Sequence, residues 1–191
     1  SEIFKKYGKD IAAVIVEPVA ANMNLVLPEE NFLLRIRQKC DEYDSLLIFD
    51  EVITGFRLKD KSAQNLLGIE PDITCLGKII GGGLPIGAIG GKSEIMDCLS
   101  PLGKVYQAGT LSGNLLSTSA GYAALELIDQ IDPYGRLEEL SCFFCSEIRQ
   151  IAKKTSIPVN VENAGSMIGI RFNEKKKIKN RGKYIISISN I

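Results

Sequence analysis

Asp50 and Lys78 are the two residues whose types and spacing could do chemistry. Asp50 ends the apolar run Leu46–Phe49 (LLIF), and Lys78 follows Asp72–Gly77 (DITCLG). In open α/β sheets the carboxyl ends of strands are where ligands bind. A carboxylate placed there is costly unless it meets a cation. A lysine among apolar and glycine neighbours, here Gly77, Ile79, Ile80 and Gly81–Gly83, can have its pKa lowered enough to act as a nucleophile. A protonated ring nitrogen would answer the aspartate, and an aldehyde would answer the lysine. Pyridoxal phosphate carries both on one ring and withdraws electrons only while that nitrogen is protonated. A charge-assisted hydrogen bond of this kind is worth about 1.5–3 kcal/mol. Spacing alone leaves two other readings open, an aspartate that caps a helix and a lysine that is simply solvated.

The elements that must position this pair follow from hydrophobic periodicity. Ile11–Val16 (IAAVIV) reads as a strand buried on both faces. Asn31–Tyr43 places Phe32, Ile36, Cys40 and Tyr43 at helical spacing after Pro28-Glu29-Glu30. Ser45–Phe49 is a second buried strand, so strand, helix and strand imply a right-handed parallel crossover. Asp72–Leu76 and Ile86–Gly90 are further strand candidates. Gly113–Ile131 and Gly135–Thr155 are two helices parted by Asp132-Pro133, which a helix does not easily cross. Gly165–Phe172 alternates and is expected to open a smaller domain. The basic run Asn173–Lys183 reads as a solvated loop or hairpin, and Tyr184–Ile191 as a short alternating stretch.

Composition removes several classes of function. The 191 residues hold 23 basic and 23 acidic side chains, so no net field draws the chain to nucleic acid or an anionic membrane; a small-molecule partner is expected. Histidine is absent, which excludes Ser-His-Asp and Cys-His nucleophile systems and histidine metal ligation. Five cysteines suit packed, reduced thiols better than a disulfide scaffold and predict a reducing, cytoplasmic setting. The first ten residues lack the apolar core of a signal peptide, and no apolar run reaches the roughly 18 residues that span a bilayer. The Ser1 start predicts a piece of a longer protein; a transit peptide upstream would move the expected location to the plastid stroma.

Three motifs in combination resemble the class III, pyridoxal-phosphate-dependent aminotransferases: VIVEPV (Val14–Val19), LLIFDEVITGFR (Leu46–Arg57) and PDITCLGKIIGGGLPIGAIGG (Pro71–Gly91). VEPVAANMN (Val16–Asn24), YQAGTLSGN (Tyr106–Asn114) and GKIIGGG are more similar to the glutamate-1-semialdehyde aminomutase branch than to acetylornithine or aminobutyrate transaminases. The resemblance implies a fold-type I large domain, α/β, with a mostly parallel sheet and helices on both faces, incomplete at both ends. It also implies a central large-domain segment at residues 1–157 and the start of a truncated small domain at 158–191. Lys78 would carry the cofactor covalently and shuttle protons, and Asp50 would hold the pyridine nitrogen. Val52 would press on one face of the ring, and Asn22 would lie near its phenolic oxygen. Gly109 and Thr110 would bind the cofactor phosphate of the neighbouring subunit in a homodimer. The implied reaction moves an amino group within glutamate 1-semialdehyde to give 5-aminolevulinate for tetrapyrrole synthesis, with the pyridoxamine form in the cycle. Ala21 stands where the pattern has glycine, and Leu115 where it has proline. The family's phosphate loop, ring-stacking aromatic and substrate-binding arginine would lie upstream.

Rival readings are a class III ω-amino acid transaminase, a non-catalytic fragment that keeps the fold's core, and a P-loop ATPase. Leu46–Glu51 would pass for a Walker B strand, but no G-x-x-x-x-G-K-[ST] accompanies it: Ile79 follows Lys78, and Ile86 stands where Gly91-Lys92-Ser93 needs its first glycine. Gly81–Gly83 could cradle a phosphate or simply pack close to Lys78. Cys142 and Cys145 form a C-x-x-C without a second pair, which reads as a packed helix face rather than a metal site.

Overall fold

The structure is a computed structural model describing residues 2–172; Asn173–Lys183 and Tyr184–Ile191 lie outside the described residues. A short helix α1 (Glu2–Tyr7) leads into β1 (Ala13–Val16), α2 (Phe32–Tyr43) and β2 (Leu46–Asp50). Next come α3 (Ala63–Leu67), β3 (Ile73–Gly77), β4 (Gly87–Gly91) and α4 (Ser93–Met96). Two long helices, α5 (Leu115–Ile131) and α6 (Tyr134–Thr155), precede the hairpin β5 (Asn160–Ala164) and β6 (Met167–Arg171).

The first four strands form one sheet in the order β1-β2-β3-β4. β1, β2 and β3 run parallel, and β4 returns antiparallel along β3, with Gly77 opposite Gly87 and Ile73 opposite Gly91. The fold is therefore α/β with a mostly parallel sheet, and the carboxyl ends of its three parallel strands lie side by side.

Leu47 and Phe49 of β2 are fully buried and pack with Leu33 and Cys40 of α2 and Phe4 of α1. Two expectations need correction here. In α2 the core position is Leu33, while Phe32 is exposed, because the helix begins at Phe32 and turns its second residue inward. β1 is not buried on both faces: Val14 and Val16 pack against this core, but Ala13 and Ile15 are exposed, as suits a strand at the edge of the described sheet.

The remaining boundaries follow local chemistry. Ser62 caps α3 by accepting the Asn65 N–H at 3.2 Å, and Gly68 ends it at φ 63°. Asn114 caps α5 by accepting the Ser117 N–H at 2.9 Å. Between α5 and α6 the chain turns at Asp132, with φ 37°, before Pro133. Strand β5 carries no strand pattern in its sequence, NVENA, which is mostly polar. The hairpin packs Met167 and Ala164 against Val19, Leu25, Leu58 and Ala63. None of the described helices is long and apolar enough to cross a membrane.

Candidate functional site

Asp50 is the last residue of β2, and its register partner on β3 is Cys75. Glycine 77 and Lys78 then continue past the end of the sheet. One oxygen of the half-buried Asp50 carboxylate, Oδ1, accepts the Val52 N–H at 3.1 Å, which leaves Oδ2 for another donor. Asp50 and burial together set the thiol of Cys75: burial raises its pKa most, and the facing carboxylate adds to the rise.

Val52 lies directly on the backbone that precedes Lys78. A Cβ added to Gly77 would stand 3.3 Å from Val52 Cγ1 and 3.6 Å from Cγ2, so a larger residue there would press on Val52 and push it outward by a few tenths of an ångström. Asp50, Val52 and Lys78 are thereby brought together at one corner of the sheet. Lys78 begins a 3₁₀ turn, Lys78–Gly81, and its own φ is 50°. A left-handed backbone costs a non-glycine residue roughly 1–2 kcal/mol. The Lys78 side chain is exposed and makes no ion pair among the described residues. An exposed amine, a half-buried carboxylate and an apolar side chain between them fit a flat heteroaromatic aldehyde with a basic ring nitrogen.

Asn22 lies in the 3₁₀ turn Ala21–Met23 that follows β1, at the same end of the sheet. Its side chain is exposed, and its N–H donates to Glu17 Oε2 at 3.4 Å. Gly109 lines a hollow of about 870 Å³ with Cys75, Leu76, Ile86 and Gly87. The hollow thus borders β3 and β4, with neither Asp50 nor Lys78 in its lining, and Thr110 is exposed beside it. Among hydrogen bonds of the described residues, none joins Gly109 or Thr110 to Asp50 or Lys78.

Some residues that shape the site carried no signal in the sequence. Asn24 pairs its side-chain amide with β6 as a strand would: Nδ2 donates to the Ile170 carbonyl at 2.5 Å, and Oδ1 accepts the Ile170 N–H at 3.1 Å. The buried Arg171 donates to the Asn24 and Leu25 carbonyls, each at 3.0 Å, and forms an ion pair with Glu162. The loop that holds Asn22 is fastened to the hairpin in this way. These partners are about 146 positions apart in the chain, so local pattern could not reveal them. Glu51 is the other such residue, fully buried with both carboxylate oxygens engaged. In the C-x-x-C of α6, Cys145 is buried and Cys142 exposed.

A family model for Aminotransferase class-III matches residues 1–189 of the chain. A glutamate-1-semialdehyde 2,1-aminomutase of Methylacidiphilum infernorum (isolate V4) is 56% identical over 174 residues, 91% of this chain and 40% of that protein. Among solved structures, an omega-transaminase from Sphaerobacter thermophilus superposes with a TM-score of 0.85 at 30% identity, covering 91% of this chain and 40% of that one. A glutamate-1-semialdehyde-aminomutase variant from Pseudomonas aeruginosa PAO1, solved in complex with PMP, gives 0.77 at 28% identity, covering 88% and 39%. The chain spans about 40% of the length of the curated relatives it matches.

Proposed function

From the premise that this chain belongs to the class-III aminotransferase family, we propose that it forms the cofactor-binding centre of a pyridoxal-phosphate-dependent aminomutase. The proposed reaction is the intramolecular transfer of an amino group in glutamate 1-semialdehyde to give 5-aminolevulinate. The observation that carries this reading is the meeting of Asp50, Val52 and Lys78 where β2 and β3 end. When bound, the cofactor supplies an electron sink for the carbon that loses or gains a proton.

The chain's own residues take the remaining roles. Lys78 would hold the cofactor through its ε-amine, and the same amine would move a proton between neighbouring carbons. Asp50 keeps a proton on the ring nitrogen through the oxygen not engaged by Val52. Val52 covers one ring face and excludes water there. Asn22 would lie close to the phenolic oxygen, and Gly109 and Thr110 would bind the phosphate of the cofactor held by a partner subunit. Residues 1–157 then belong to the large domain and 158–191 open the small one. Five free thiols suit a cytoplasmic setting.

A second reading, an ω-amino acid transaminase, is favoured by the higher TM-score of the transaminase neighbour. Backbone likeness reports the scaffold that both reactions share, whereas identity above one half over about nine-tenths of the chain is with proteins named as aminomutases. The aminomutase is the better supported of the two.

The test adds pyridoxal phosphate to the natural full-length protein. A band at about 410–420 nm, expected for covalently held cofactor, should form and be lost in Lys78→Ala. Conversion of glutamate 1-semialdehyde should accompany it. Transfer from ornithine or aminobutyrate to 2-oxoglutarate without that conversion would select the transaminase, and absence of the band would leave a non-catalytic core.

A further inference from the structure

Resting on the reading above, we propose that Glu51 is a positioning residue for this site. It holds the turn after β2 in the shape that lays Val52 on Gly77 and keeps Asp50 at the strand end.

Glu51 stands between the two residues that would touch the ring, yet it is fully buried. A buried carboxylate is stable only when hydrogen bonds replace its water, and here three donors do so. Oε2 accepts the Thr54 hydroxyl at 2.8 Å and the Ala63 N–H at 2.6 Å, and Oε1 accepts the Gln64 N–H at 3.0 Å. The first donor lies in the same turn. The other two are among the first N–H groups of α3, which have no partner inside their own helix. One side chain therefore ties the end of β2 to α3. Gln64 extends the connection to β3, donating from Nε2 to Thr74 Oγ1 at 3.2 Å.

The backbone of Glu51 makes the same junction. Its N–H donates to the Cys75 carbonyl at 2.9 Å, and its carbonyl accepts the Gly55 N–H at 2.8 Å. The turn so formed is pressed on β3: a Cβ at Gly55 would come 2.5 Å from Leu76 Cδ2, two residues before Lys78. The Val52 N–H bonds to Asp50 Oδ1 at 3.1 Å, so the residues on either side of Glu51 are tied to each other around it. A rotation of Glu51 would carry both of its neighbours with it.

The substitution that isolates this role is Glu51→Gln. It keeps the volume but turns an NH₂ group toward donors that need an acceptor. In the natural full-length protein loaded with pyridoxal phosphate, we expect the visible circular dichroism of the bound cofactor to fall and kcat to drop by roughly tenfold to a hundredfold. KM should change far less, and far-ultraviolet circular dichroism should stay that of the parent. A Glu51→Gln protein with the parental cofactor signal and kcat overturns the proposal. Should Glu51→Gln not fold, Thr54→Val decides instead: it removes one of the three donors, and a weaker signal with lower kcat supports the role while parental values overturn it. A parent protein that shows no cofactor band overturns the functional reading, and this role with it.

Discussion

Asp72 has its pKa set by opposing effects that can be ranked. Burial raises it most, but its carboxylate accepts the Leu47 N–H at 2.7 Å and meets Lys92 at 2.6 Å and Arg37 at 2.8 Å. Together these partners win and hold the group down to about 2, from an ordinary 3.8. A depressed carboxyl adds stability that is fully present above its unfolded pKa and is lost as pH falls through the folded one. The window is therefore between about pH 4 and pH 2, and the amount is about 2 kcal/mol. Urea unfolding at stepped pH should show the stability difference between the parent and Asp72→Asn shrinking by that amount across the window. At this scale the sequence was partly legible. Asp50 and Lys78 stood out because each ends a strand pattern, and the motif around them is dense. Glu51 did not, because its N–H donors in α3 lie 12 and 13 positions further along the chain and nothing local marks a carboxylate as buried.

Among the elements, the placement of α5 decides how firmly the Lys78 turn is held. A Cβ on Gly121 would come 2.1 Å from the Ile80 carbonyl oxygen, and one on Gly82, whose φ is 58°, would come 2.5 Å from the Ala120 carbonyl oxygen. Helix and turn thus touch backbone to backbone, with no side chain between them. Gly121→Ala must push α5 off the turn, and overpacking of this sort costs about 1–3 kcal/mol. Thermal unfolding should register the loss, and titration with pyridoxal phosphate should show weaker binding, because the displaced turn begins at Lys78. Of the two roles open to Gly81–Gly83, a phosphate cradle or close packing, the geometry at Gly82 is close packing under α5. The order of strands and helices was legible from period and from the Asp132-Pro133 break. The antiparallel return of β4 was not, since GAIGG has too few side chains to show a period, and β5 was hidden by its polar residues.

Among the described residues, most of the large apolar side chains with the greatest exposure fall in the chain from Leu102 to Tyr122. Tyr106 is 82% exposed and Leu115 83%, and Leu111, Leu116 and Tyr122 are exposed around them. Where such residues form one patch, they mark an interface more often than free surface. Gly109 and Thr110 sit within the same stretch, and the resemblance assigns them to a neighbouring subunit's cofactor, so a second copy of the protein is the occupant we propose. With 23 basic and 23 acidic residues, long-range charge repulsion would not oppose such pairing. The double change Leu115→Glu and Leu116→Glu places two desolvated carboxylates in that contact, where unpaired burial costs several kcal/mol each. Sedimentation of the natural full-length protein should then show dimer giving way to monomer. Activity should fall with it, since each site would lose the phosphate contacts of its partner, while Lys78 and Asp50 stay intact. A dimer that survives both substitutions with full activity would assign this face to contacts within one chain and remove Gly109 and Thr110 from the shared site.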